Sequence, residues 1–136
     1  MKNLILIVLS LFISNTVLSQ EISKEKMYGT WKVQKNLTPK SDPKLNDIID
    51  GFNEATFTFY ENGNFVLKST NTSKLFLMTL NMLKNAKWIL DQKRQMIKLG
   101  NQKNHFSIMG IVVKVSNDKT FFLINETPIE LEMVNN

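Results

Sequence analysis

"ATFTFYENGNFVLKS", residues 55–69, decides how the rest of the chain is read. Phe57 and Phe59 alternate with threonines before Asn62-Gly63, and Phe65 and Leu67 take every second place after it. A period of two is the period of a strand with one apolar face. Asn-Gly suits the positive φ angles of a type I′ turn, so this stretch predicts a β-hairpin closed by that turn.

The same alternation continues in both directions. Upstream, "GTWKVQKN" puts Trp31 and Val33 on one face and Lys32 and Gln34 on the other. Downstream, "AKWILDQKRQMIKLG" gives Trp88 with Leu90, a polar turn, then Ile97 with Leu99. "NHFSIMGIVVKVSNDKTFFLI" predicts a long strand, a turn around Asn117-Asp118 and a strand apolar on both faces at Phe121–Ile124. That run needs a cover on its outer face, from the N-terminal segment, a helix or another chain. After Pro128, Ile129, Leu131 and Met133 face one way, while Glu130 and Glu132 face the other, towards solvent. About eight short strands with hairpin-length connections predict an all-β fold, a single up-and-down antiparallel barrel, because closure removes exposed edges. Phe57, Phe59, Phe65, Trp88, Phe106 and Phe122 fall on the inward positions of that barrel.

Two stretches break the rhythm. "SDPKLNDIIDGFNEA" has Asp42 as an N-cap, Pro43 at the first helical position and Gly51 near a stop. Leu45, Ile48, Ile49 and Phe52 follow at helical spacing, predicting a short amphipathic helix in the first inter-strand connection. In residues 74–84, Phe76, Met78, Leu80 and Met82 alternate like a strand, whereas the Leu, Met and Lys content favours helix. The alternation is given the greater weight.

The first nineteen residues, "MKNLILIVLSLFISNTVLS", combine Lys2, an apolar run from Leu4 to Ile13, and Val17 and Ser19 where a signal peptidase takes small residues. The run is half the ~20 residues needed to span a bilayer, so a cleaved signal peptide is expected rather than a membrane anchor. The expected division is signal peptide 1–19, linker 20–27 and barrel 28–136, exported to the periplasm or beyond. With no cysteine there is neither a disulfide framework nor a lipid-accepting thiol, which excludes a lipoprotein. Seventeen basic residues against twelve acidic give a net charge of +5, but the lysines are scattered singly. No basic stripe with interleaved aromatics points to nucleic acid.

"GTWKV" on a first strand after a signal peptide, followed by "FTFYENGNFVL", "KWILD" and a closing "IELEMV", resembles the lipocalins, in particular the small lipocalin-like domains exported by Bacteroidetes-type bacteria. The resemblance covers most of the mature chain. It implies that Gly29 lets the backbone bend in close and that Trp31 plugs the closed end of the barrel. An arginine from the last strand often lies across that tryptophan in lipocalins. Residues 129–134 contain none, so Trp31 must be packed by apolar neighbours or a lysine stem.

No catalytic arrangement emerges. His105 is the sole histidine, with no G-x-S-x-G, H-E-x-x-H or Cys-x-x-Cys beside it, and reads as a surface residue. Met78, Met82, Met96, Met109 and Met133 read as core filler rather than thioether ligands of copper. No metal or other cofactor is expected. The first functional reading is a non-enzymatic barrel holding a small hydrophobic ligand. Leu45, Ile48, Ile49 and Phe52 would form its lid, and Phe57, Phe59, Phe65, Leu67 and Trp88 its walls. The second is a solid barrel acting as an interaction module for a protein or cell-envelope component.

Overall fold

The computed structural model describes residues 21–40, 43–71 and 73–136. The expected signal peptide and the Asp42 cap lie outside the described residues. Eight strands, β1 (Gly29–Asn36), β2 (Thr56–Phe59), β3 (Phe65–Lys68), β4 (Lys87–Asp91), β5 (Met96–Gly100), β6 (Met109–Ser116), β7 (Lys119–Ile124) and β8 (Glu130–Asn135), form one antiparallel sheet in the order β3-β2-β1-β8-β7-β6-β5-β4. Its two outer strands meet at an Asn64–Lys87 bridge. There Phe65 N–H donates to the Ala86 carbonyl at 3.1 Å and Trp88 N–H to that of Gly63 at 2.9 Å. The sheet is therefore a nearly closed up-and-down barrel, open only along a short seam.

Inward residues alternate as the sequence predicts. Trp31, Val33, Phe57, Phe59, Phe65, Leu67, Trp88, Ile97, Leu99, Ile111, Val113, Phe122, Ile124, Leu131 and Met133 belong to one buried cluster. Removing so many apolar side chains from water, at ~25 cal/mol per Å², is what holds the barrel together.

The hairpin at residues 55–69 forms in the expected register, with Phe57 opposite Leu67 and Phe59 opposite Phe65, but its turn differs. Only Gly63 has positive φ, +94°, and Gly63 N–H donates to the Tyr60 carbonyl at 3.0 Å. The loop is thus Glu61-Asn62-Gly63, three residues with glycine in the left-handed place, rather than a two-residue type I′ turn. Both central residues have positive φ in the β6–β7 hairpin instead, where Asn117 and Asp118 lie at 52° and 62° between paired Ser116 and Lys119.

Residues 74–84 do not form a strand. Lys74–Met82 is a helix, and its start is capped by the Ser73 hydroxyl accepting from Phe76 N–H at 3.3 Å. Phe76 and Leu83 are buried at the base of this helix and Leu80 is half-buried, while Met78 and Met82 are exposed. Helix propensity and a good cap outweigh the alternation, which here coincides with positions on opposite sides of a helix.

The helix in the first connection is preceded by a 3-10 turn, Pro43–Leu45, and occupies Asn46–Gly51. The stretch expected as a linker is folded over its described part: Lys24–Met27 is a single helical turn, and Ile22 and Met27 are buried to 2% and 1% exposure. We label the helices α1 (Lys24–Met27), α2 (Asn46–Gly51) and α3 (Lys74–Met82).

Three further expectations change. Residues 101–107 are a looped turn, in which Asn101 and Asn104 each donate a backbone N–H to the other's side-chain oxygen, so β6 begins only at Met109. Phe106, at φ 54°, is half-buried outside the core rather than inside the barrel. Glu132 is not solvated: it is 6% exposed and its carboxylate meets Lys119 Nζ at 3.3 Å. Phe121 is its direct cross-strand neighbour, and Leu123 pairs with Glu130. The outward faces of Phe121 and Leu123 are half-buried beside these strand neighbours.

Candidate functional site

The barrel interior was the expected site, and its contents are aromatic. Phe76 of α3 stands edge-on to Phe52 at 5.0 Å, and Phe52 stacks on Phe57 at 6.0 Å. Phe57 contacts Phe122 at 5.5 Å, and Phe122 contacts Trp31 at 5.6 Å. A branch runs through Phe59, 6.1 Å from Phe122 and 5.3 Å from Trp88, and then to Tyr28, 5.9 Å from Trp88. Centroid separations of 4.5–7 Å are those of rings in contact. An unbroken series of rings therefore joins the helices at one end of the barrel to the N-terminal segment at the other.

Of the nine residues expected around a cavity, Ile49, Phe52, Phe57, Phe59, Phe65, Leu67 and Trp88 are gathered into this buried cluster, and Ile48 packs partly against it. Leu45 is not: it lies in the 3-10 turn, 38% exposed. Phe76, expected on a strand, packs against Phe52 at this end of the barrel instead. Gly51 is the reason that α2 and α3 come so close, since a Cβ there would lie 2.1 Å from the Phe76 ring.

At the opposite end Gly29 has φ +110°, a conformation that side-chain-bearing residues rarely adopt, and β1 starts from it. Trp31 is 7% exposed and its indole N–H donates to the Met27 carbonyl at 3.0 Å. A small pit of about 190 Å³ beside it is lined by apolar Ile22, Met27, Val113 and Val115 together with Glu21, Lys26 and Thr120, without an arginine. The N-terminal segment is fastened by Ile22, whose N–H donates to Gln95 Oε1 at 2.5 Å and whose carbonyl accepts from Gln92 Nε2 at 2.6 Å. Trp88 donates its indole N–H to the Tyr60 carbonyl at 2.9 Å, and Lys24 Nζ lies 5.8 Å from its ring centre. Burial beside this ring raises the Tyr28 phenol above its ordinary pKa of 10.0, with Glu61 and Glu25 adding to the effect.

Outside the barrel, two concavities lie beside the helices, one at α3 and one at α2. One is a groove of about 430 Å³ between the outer edge of β3 and α3, with Val66, Leu77, Leu80, Leu83 and Lys84 among its lining residues. The other is a polar cleft of about 400 Å³ lined by Lys40, Asp50, Asn53, Glu54 and Ser69–Asn71. Its groups are largely engaged with one another: Ser69 Oγ donates to the Gly51 carbonyl at 2.7 Å, Thr70 Oγ1 to Glu54 at 2.5 Å, and Lys40 lies 3.5 Å from Asp50. Among the described residues no group of three or more His, Asp or Glu side chains is placed to hold a metal ion, and His105 is exposed in the 101–107 turn.

The fold therefore defines an eight-stranded, nearly closed antiparallel barrel with a buried aromatic axis and a helix-flanked outer groove. No protein-family model, no curated protein and no solved structure matches the chain.

Proposed function

We propose that this is an exported, non-enzymatic, lipocalin-like barrel whose interior is structural and whose function lies on its outer surface, as an interaction module for a component of the cell envelope. The observation that carries this reading is the series of ring contacts from Phe76 to Trp31 and Tyr28. A ligand entering the barrel would have to displace rings that already fill one another's contact surface, at the cost of the packing they make. The outer surface supports the same reading. Leu75, Leu77, Met78 and Met82 are each between 39% and 61% exposed, on one short helix.

The test is made on residues 20–136. Organic extraction followed by mass spectrometry should recover no co-purified lipid, and a monomeric fluorescent fatty acid should show no saturable one-to-one binding. Saturable binding that is weakened by Phe59→Trp, yet unaffected by Met78→Asp with Met82→Asp, would overturn the proposal in favour of a carrier of a small hydrophobic ligand.

A further inference from the structure

We infer that the outer face around α3 is a docking surface for an anionic lipid bilayer, an inference that rests on the exterior-function reading above. Two independent features of one region carry it. The first is geometric. At 100° per residue Leu75, Met78 and Met82 fall at i, i+3 and i+7 and make a stripe along α3, while Phe76, Leu80 and Leu83 make the opposite stripe that packs on the barrel. A surface helix normally exposes polar residues on that outer side. Here the three outer residues are 39%, 56% and 61% exposed among the described residues.

The second feature is charge. Between Glu61 and Asp91 the sequence contains no acidic residue, and its only charged side chains are Lys68, Lys74, Lys84 and Lys87. All four are exposed, and among the described residues none forms an ion pair. They lie on α3 and on the segments that lead into and out of it. Lys74 opens α3, Lys84 lines the groove beside it, Lys68 shares the outer face of β3 with groove residue Val66, and Lys87 begins β4 just beyond. The carboxylates of the neighbouring polar cleft, Glu54 and Asp50, meet Thr70 and Lys40.

An apolar helical stripe bordered by unpaired lysines is the arrangement that lies in a membrane interface, with the stripe among acyl chains and the ammonium groups at phosphates. The helix, about 14 Å long at ~1.5 Å per residue, lies flat rather than crossing. Indeed, no helix among the described residues is long and apolar enough to span a bilayer. Charge also selects among possible occupants. A second copy of this chain docking on the same face would bring two sets of four lysines together, whereas an anionic surface neutralises them.

The experiment is vesicle flotation of residues 20–136 with phosphatidylcholine alone and with phosphatidylcholine containing phosphatidylglycerol. We expect binding only to the anionic vesicles, weakening as salt is raised. Each of Lys68→Gln, Lys74→Gln, Lys84→Gln and Lys87→Gln should reduce partitioning about fivefold, the effect of one basic residue near an anionic surface. Met78→Asp with Met82→Asp should abolish binding while leaving the melting temperature unchanged, and Val134→Asp, an exposed apolar position on β8, should leave binding intact. As an internal reporter, Met78→Trp should give blue-shifted emission when anionic vesicles are added. Equal binding to neutral vesicles, no binding to either, insensitivity to the Met78 and Met82 changes, or a dimer in sedimentation that these changes dissolve would each overturn the inference. In every one of these cases absence of a ligand inside the barrel would leave the exterior-function reading standing.

Discussion

Gly51→Ala sets two effects of opposite sign against each other at the α2–α3 contact. Gly51 is the last residue of α2, so replacing it by alanine in a helix would by itself stabilise by ~0.5–1 kcal/mol. The added methyl, however, would fall 2.1 Å, 2.2 Å and 2.7 Å from three atoms of the Phe76 ring. Carbons in contact rest at ~3.5 Å or more, so ring and helix must separate by roughly 1.4 Å. Phe76 has no exposed surface and stands against Phe52, which leaves the ring no open direction in which to turn. Overpacking of this kind costs ~1–3 kcal/mol, so the net expectation is a loss of up to ~2.5 kcal/mol, centred on ~1 kcal/mol. Urea unfolding measures it directly. Phe76→Leu in the same chain should remove most of the loss, giving a coupling of ~1 kcal/mol or more in a double-mutant cycle. If Gly51→Ala raises the midpoint, or if the two changes simply add, the steric account of this contact is wrong.

Trp31→Ala should destabilise by ~3–5 kcal/mol as a buried aromatic truncation, read as the unfolding free energy, and a loss below ~1 kcal/mol would show that Trp31 is not a structural anchor of the barrel. Asp118→Gly, at a position with φ 62°, converts the β6–β7 turn to the preferred Asn-Gly form and should stabilise by ~0.5 kcal/mol, seen as a melting temperature ~2–4 °C higher. An unchanged or lower temperature would refute the turn assignment. Lys119→Ala leaves the Glu132 carboxylate buried without its cation; because Lys119 is itself 59% exposed, the expected loss is ~1 kcal/mol, well short of a fully buried pair. A melting temperature equal to that of the parent protein would show that water already satisfies Glu132.

The strands were legible because burial on one face imposes a period of two, carried by apolar residues such as Phe57 and Phe59 in β2 or Phe65 and Leu67 in β3. Three things were not. Turn type at Asn62-Gly63 depends on loop length, which the register of Phe59 against Phe65 settles and dipeptide identity does not. Residues 74–82 satisfy a strand pattern and a helix pattern together, because Phe76 and Leu80 on one stripe and Met78 and Met82 on the other fall on every second residue. Ser73 three residues before Phe76 was the signal for a cap. Glu132 is buried between its cross-strand neighbours Phe121 and Lys35 and meets Lys119 at 3.3 Å, contacts across strands that no local pattern encodes. The aromatic core was readable as a set, except for Phe106 and Phe76, whose places depend on a turn and a helix. The lysine-bordered region around α3 was present in the sequence as an acid-free stretch between Glu61 and Asp91.

The order of strands places β1 beside β8 in the middle of the sheet and leaves the centre of the sequence, β3 to β4, at the seam. During synthesis β1–β3 emerge as a three-stranded fragment whose free edge is β1, and that edge stays unpaired until the last strand, Glu130–Asn135, leaves the ribosome. Loop-closure entropy then opposes a pairing of nearly the greatest sequence separation the chain permits, which makes slow folding the natural kinetics of this barrel. Nicking the chain between β3 and β4 and joining residue 136 to residue 21 would leave every strand pair in place while making β1 and β8 neighbours in sequence. Such a permuted chain should fold faster than the natural one.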